Sequence, residues 1–342
     1  AENFVEKQLG ITDRREIGTK WSLEEYITKA RESMVANSET WESTILRIGR
    51  WVDFKGAYRT MDKDFMESVW WAFAKLYKAG KIFEGRKVLM YDTKFATPVS
   101  KAEGTMDNDA YKEVTDPSAY VKFKLCGEES LNHIFADTLK GARPSLRSAK
   151  IDSKDPAVYL LAWTTTPWTL PANMVLAVNP ELEYGLYEVE GENLVFATSL
   201  AEQIFAVKKL EPLEPVVKFK GKDLAGLEYQ PLIDAIPKKE RKAETYHVLG
   251  ADFVSSENGT GVVHCAPAFG EDDYELCQKH EVDFVDGLDE NGYYLPEMVE
   301  KLHALGVRDT DEHGIELWAA NKFIAKMLEE RGDVWRIEYI KH

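Results

Sequence analysis

Between Val158 and Cys265 the apolar residues fall into short runs, each closed within a few positions by glycine or proline. Val158 to Trp163 is the first; Tyr184 to Val189 and Asn193 to Ala197 flank the turn-like Glu190-Gly191-Glu192; Leu232-Ile233, Tyr246 to Leu249 and Val262 to Cys265 follow. Runs of this length suit strands, since a helix buries its face over ten residues or more. A barrel-like or mixed β core is the architecture that covers many short strands at once. Helices frame it: apolar spacing predicts one near Glu297 to Leu305 and one from Ile315 to Arg331, with Gly332 as its stop.

The first hundred residues have a different texture. Ser22 and Glu25 have the spacing of a capping box, followed by apolar residues at Ile27, Met34, Trp41, Ile45 and Leu46. Asp62 or Thr60 can cap a second helix whose apolar face is Phe65, Met66, Val69, Trp70, Phe73, Leu76 and Tyr77, ending at Gly80. "RKVLMYDT", Arg86 to Thr93, then reads as a buried strand, so this part suggests a fragment of an α/β layer. Residues 101–118 are polar and rich in turn formers, which places a domain boundary near residue 114.

Charge and cysteine content narrow the function. A net charge of −16 argues against a general nucleic-acid coat. Local polyanion contacts remain open at Lys218, Lys220 and Lys222, at Lys238, Lys239, Arg241 and Lys242, and around Arg143, Arg147 and Lys150. No apolar run approaches the roughly 18–20 residues of a membrane span, and AENFVEKQLG lacks the pattern of a signal peptide. A cytoplasmic protein without membrane contact is the expectation. Cys126, Cys265 and Cys277 form no Cys-x-x-Cys pair and read as reduced thiols.

Two stretches carry chemistry. In "WTTTPWTLPAN", Trp163 to Asn173, a strand ends in Thr164, Thr165 and Thr166, and Pro167 keeps Thr166 out of helical geometry. Strand alternation sends Thr164 and Thr166 one way and Thr165 the other. Hydroxyls both donate and accept, so such a cluster can hold a water or a carbonyl oxygen without adding charge; a plain β-branched strand end is the alternative. In "GTGVVHCAPAFGEDDYELC", Gly259 to Cys277, His264 stands at a strand end, a loop follows, and Glu271, Asp272 and Asp273 open a helix. The helix dipole alone accounts for acidic residues there, but the loop can also fold His264 and Asp273 around one pocket. His264 and Cys265 point to opposite faces of a strand, which disfavours a Cys-His dyad, and Cys277-x-x-His280 offers a metal only two ligands.

Together, "AWTTTPWTLPANMVLAVNPELEY" and "GTGVVHCAPAFGEDDYELC" resemble the two signature segments of the editing (CP1) domain of isoleucyl-tRNA synthetases, which are class I aminoacyl-tRNA synthetases. "GRWVDFKGAYRTMDKDFMESVWW", Gly49 to Trp71, resembles the part of their catalytic domain that precedes it. The likeness runs over nearly all of the 342 residues. The His-Ile-Gly-His and Lys-Met-Ser-Lys-Ser segments that handle ATP in class I enzymes are absent, and "MYDTKFATPVSKAE" departs from the family's usual wording. The resemblance therefore implies a fragment that opens inside the catalytic domain.

The implied architecture is α/β: an incomplete Rossmann-type segment over residues 1–114, a β-barrel-like editing domain with surrounding helices over 115–330, and a return segment over 331–342. The implied activity is hydrolysis of valine mistakenly joined to tRNA(Ile), with valyl-adenylate as a further candidate substrate. Carried over by position, Thr164, Thr165 and Thr166 would hold the ester carbonyl and the attacking water, and Asp273 the substrate's ammonium. His264 would exclude the larger isoleucine side chain, while Asn173 and Phe269 would seat the terminal nucleotide. Editing would need no cofactor and no metal, ATP and Mg²⁺ serving the parent enzyme's ligation of isoleucine. The implied partners are the acceptor end of tRNA(Ile) and the rest of the catalytic domain. The alternatives are a non-catalytic tRNA-binding module of the same fold and a freestanding thiol or metal hydrolase.

Overall fold

A computed structural model describes residues 2–35, 38–106, 112–126 and 157–341. Its contacts divide the chain into two compact units, Ala1–Gly85 and Arg86–His342. The division falls after Gly85, so the boundary expected near residue 114 lies inside the second unit. Arg143, Arg147 and Lys150 lie outside the described residues.

The regular elements of unit one's described residues are chiefly four α-helices, α1 (Glu2–Leu9), α2 (Leu23–Val35), α3 (Ser38–Arg47) and α4 (Lys63–Lys78), joined by turns and irregular segments. The capping box opens α2, with the Ser22 hydroxyl and amide both bonded to the Glu25 carboxylate at 2.7 and 3.0 Å. Helix α4 forms where its spacing predicts and Gly80 follows it at φ +66°, but none of its residues is buried; Trp70 is 68% exposed.

The second unit opens with a hairpin, β1 (Met90–Asp92) and β2 (Thr97–Val99), and a short helix, α5 (Lys101–Met106). The buried strand expected over Arg86 to Thr93 is thus reduced to three residues, with Met90 and Tyr91 exposed because their one partner strand leaves both faces open. The core follows. A six-stranded sheet contains β3 (Thr115–Lys124), β4 (Val158–Thr164), β6 (Glu183–Val189), β7 (Glu192–Ala197), β8 (Val217–Lys220) and β11 (Val334–Lys341), in the order β11-β3-β4-β7-β6-β8. A three-stranded sheet, β10-β5-β9, contains β5 (Val175–Val178), β9 (Val248–Gly250) and β10 (Val262–Cys265), and β10 lies against β4. Helices α6 (Ala201–Val207), α7 (Glu271–Lys279), α8 (Pro296–Ala304) and α9 (Leu317–Glu330) complete this mixed α/β unit.

Local sequence explains several joints. Glu190 and Gly191 both take positive φ, 51° and 85°, which gives a two-residue turn the twist that joins β6 to β7. Residues expected as a return segment instead supply β11, which pairs antiparallel with β3 from Thr115↔Lys341 to Val121↔Val334. Leu232 and Ile233 are buried as expected but form no strand. The centre of the core is fully buried: Phe123, Leu160, Leu161, Leu176, Tyr184, Phe196 and Phe205. Tyr184 also uses its hydroxyl, accepting from the Asn179 amide at 3.0 Å and donating to the Gly261 carbonyl at 2.5 Å.

Several basic groups that could have met a polyanion have partners within the chain. Lys218 pairs with Glu183 at 3.1 Å, Lys220 donates to the Glu181 carbonyl at 2.7 Å, and Arg241 meets Asp234 at 2.5 Å. Lys242 donates to the Val282 carbonyl at 3.1 Å. Among the described residues no helix is long and apolar enough to cross a membrane.

Candidate functional site

Strand β4 stops at Thr164 because Pro167 has no amide to continue the ladder. Pro167–Ala172 then winds as a 3₁₀ helix, a form with three residues per turn, so Thr169 stands one turn beyond Thr166 and on the same side. Two elements hold this turn: the Trp168 amide donates to Asn321 Oδ1 of α9 at 3.1 Å, and Tyr294 Oη, from the segment before α8, donates to the Trp168 carbonyl at 2.5 Å.

A second wall comes from "GTGVVHC". Gly259 and Gly261 take φ +80° and +76°, and a Cβ on Gly261 would lie 2.5 Å from the Ala197 Cβ, so only glycine fits. The chain then enters β10, where His264 pairs with Leu176 and Cys265 with Val175. The Pro267 loop leads into α7, whose first turn carries Asp273. The Asp273 carboxylate turns back toward β10 and accepts the Ala266 amide at 2.9 Å. Gly270 leaves room for that fold-back, since a Cβ there would lie 2.7 Å from the carboxylate.

These walls enclose a cleft of about 380 Å³, lined by Thr164, Thr165, Thr166, Thr169, His264, Phe269 and Asp273 among others. That volume suits a small ligand group. A hydroxyl relay runs across it: Thr164 Oγ1 to Thr166 Oγ1 at 3.4 Å, Thr166 Oγ1 to Thr169 Oγ1 at 3.3 Å, and Thr169 Oγ1 to His264 Nε2 at 2.9 Å. Burial holds His264 down at about 4, so its ring is neutral at pH 7. Burial lifts Asp273 from 3.8 to about 6, against the lowering effect of the Ala266 amide.

Six of the seven residues singled out from sequence therefore meet in one place. Asn173 does not. It is buried, its amide nitrogen donating to the Val175 carbonyl at 3.0 Å and its oxygen accepting the Tyr229 hydroxyl at 2.6 Å. These bonds engage both ends of the amide inside the core, so the expected contact with a terminal nucleotide does not fit its placement. Phe269 lies edge-on to Trp168, ring centroids 4.8 Å apart, at the cleft's rim of aromatic groups.

A family model described as tRNA synthetases class I (I, L, M and V) matches residues 1–212. The chain belongs to that family. Cytoplasmic isoleucine–tRNA ligase of Saccharomyces cerevisiae is 34% identical across 100% of this chain, and the match covers 28% of that protein. The isoleucine–tRNA ligases of Chlamydia trachomatis serovar D and Rickettsia akari are each 35% identical over 100% of this chain and 29% of their own length. The resemblance to isoleucyl synthetases thus extends end to end, and the chain spans under a third of each of these relatives. A solved structure of the P. falciparum cytosolic leucyl-tRNA synthetase editing domain covers 66% of this chain and 99% of its own, with 15% identity and a TM-score of 0.47.

In this class I synthetase chain, sequence reasoning missed Thr169, the hub of the relay, although it follows Thr166 by one 3₁₀ turn. It also missed Thr260, a buried residue of the cleft lining, whose place was signalled by the two flanking glycines.

The weakened acidity of Asp273 carries a stability prediction for this chain. A carboxyl held above its unfolded value binds its proton more tightly when folded, so stability falls as pH rises from about 4 to 6. Asp273→Asn should remove that slope, worth about 1.4 kcal/mol per unit of displacement. Urea unfolding at pH 4, 5 and 6 measures it; parallel curves for the two proteins would contradict the buried, proton-holding carboxyl.

Proposed function

We propose that the cleft hydrolyses the ester of valine mistakenly attached to tRNA(Ile), with valyl-adenylate a further candidate substrate. The observation that carries this reading is a small cleft facing a row of hydroxyls with, among the described residues, one carboxylate and an uncharged imidazole. Asp273, once ionised, would hold the α-ammonium of an aminoacyl group by a charge-assisted bond. Thr164 and Thr166 would hold the ester carbonyl and a water. An activated ester needs less assistance than an amide, so orientation of that water, aided by a ribose hydroxyl of the tRNA, is sufficient chemistry. His264, neutral and nearly enclosed, would close the end of the cleft against one additional methylene.

Such a filter has a physical purpose. One methylene changes binding by about 1–3 kcal/mol, and isoleucine against valine is the best-known case of that limit, so a second, smaller pocket is needed to reject the smaller side chain. In the longer protein, ligation of isoleucine by ATP and Mg²⁺ would belong to the catalytic domain, and editing would need neither. A thiol hydrolase fits less well, because burial and the neighbouring Asp273 push the Cys265 thiol well above its ordinary value. Iodoacetamide-insensitive hydrolysis is expected.

The direct test is to incubate the chain with Val-tRNA(Ile) and Ile-tRNA(Ile). Valine should be released faster by roughly 10–200-fold. Equal rates would remove the size filter, and no release of either would favour a binding module.

A further inference from the structure

We propose that Thr169 is a positioning residue: its hydroxyl fixes both the tautomer and the ring orientation of His264. The argument starts from proton supply. Thr169 Oγ1 lies 2.8 Å from the Thr166 carbonyl, which can only accept, so the single hydroxyl proton of Thr169 goes there. The contact of 2.9 Å between Thr169 Oγ1 and His264 Nε2 must then be supplied by the ring, with Nε2–H donating. That leaves Nδ1 as the bare nitrogen, and Nδ1 is buried without a partner among the described residues. One hydrogen bond therefore orients a ring that is 8% exposed.

The hub is itself well held. Thr169 is 6% exposed, its amide donates to the Thr166 carbonyl at 2.9 Å, and the turn that carries it is locked to α9 through Asn321. Motion at Thr169 would thus move the imidazole wall and the Thr166 hydroxyl together. The consequence for discrimination between valine and isoleucine rests on the hydrolytic reading above; the tautomer does not.

Two measurements separate these. In ¹⁵N-histidine-labelled protein, long-range ¹H–¹⁵N spectra distinguish the two neutral tautomers, and His264→Gln identifies the signal by its loss. His264 should be the Nε2–H form in the wild type and in Thr169→Ser, which keeps the hydroxyl. In the near-isosteric Thr169→Val it should shift toward the Nδ1–H form or a mixture. An Nδ1–H wild type, or an unchanged tautomer in a folded Thr169→Val, overturns the proposal; if Thr169→Val does not fold, the wild-type and serine spectra still decide it. In deacylation assays, Thr169→Val should lose about tenfold of the valine-over-isoleucine preference and Thr169→Ser should regain it. A changed tautomer with full preference in Thr169→Val overturns the positioning role. Absence of hydrolysis by the wild type would instead refute the hydrolytic reading and leave the tautomer result standing.

Discussion

Asp273→Ala should lower kcat/KM for hydrolysis of Val-tRNA(Ile) by about 100-fold or more, with Thr166→Ala close behind. The expectation follows from what each group can do inside the cleft. Asp273 is the carboxylate that reaches its lining, held toward β10 by the Ala266 amide and by the absence of a side chain at Gly270. Deleting it leaves an incoming ammonium without its counter-charge where solvent gives little help, a loss of about 3 kcal/mol for a buried charged bond. Thr166 sits between two other hydroxyls, so its removal breaks the relay in the middle. Removing one preorganised donor from a transition-state site typically costs about 10²–10³ in rate. Single-turnover deacylation with preformed Val-tRNA(Ile) is the appropriate measurement. If both variants retained wild-type hydrolysis, the cleft would not be the site of reaction.

Phe196→Ala should destabilise the second unit by about 3–5 kcal/mol, the range for emptying a fully enclosed phenylalanine site. Phe196 is completely buried on β7, stacked on Tyr187 with centroids 4.2 Å apart and planes 1° from parallel, and it meets Phe205 edge-on at 5.8 Å. The cavity would open between the central strands and α6, where neighbouring aromatic rings are too rigid to close it. Urea titration followed by hydrogen exchange should place the loss in strands β4, β6 and β7. A change under about 1 kcal/mol would mean that this cluster collapses freely, contrary to its packing.

The strand core was legible because its signals are local. Val158 to Thr164, Glu183 to Ala197 and Val262 to Cys265 declare themselves through apolar runs and through the Glu190-Gly191 turn. Thr115–Lys124 was not legible: Asp116, Pro117 and Ser118 read as a turn, and only pairing with β4 and β11 makes a strand of them. The same limit applies to Arg86–Thr93, where β propensity met too little partner surface to bury a full strand. Within the site, the threonines, His264 and Asp273 were visible as residue types. Their meeting depends on β10 lying against β4, which only the fold supplies. Asn173 shows the converse, since a polar residue beside a functional turn can be spent wholly on holding the backbone.

The pairing of β11 with β3 has a consequence beyond packing. Thr115 and Lys341 are partners in register, so the polypeptide comes into this sheet and departs from it side by side. A domain with adjacent ends can be spliced into a surface loop of a host without prising the host apart, and can change its own loops without disturbing the host's fold. Such a unit could be carried from one host fold to another as a detachable module, each retuned separately.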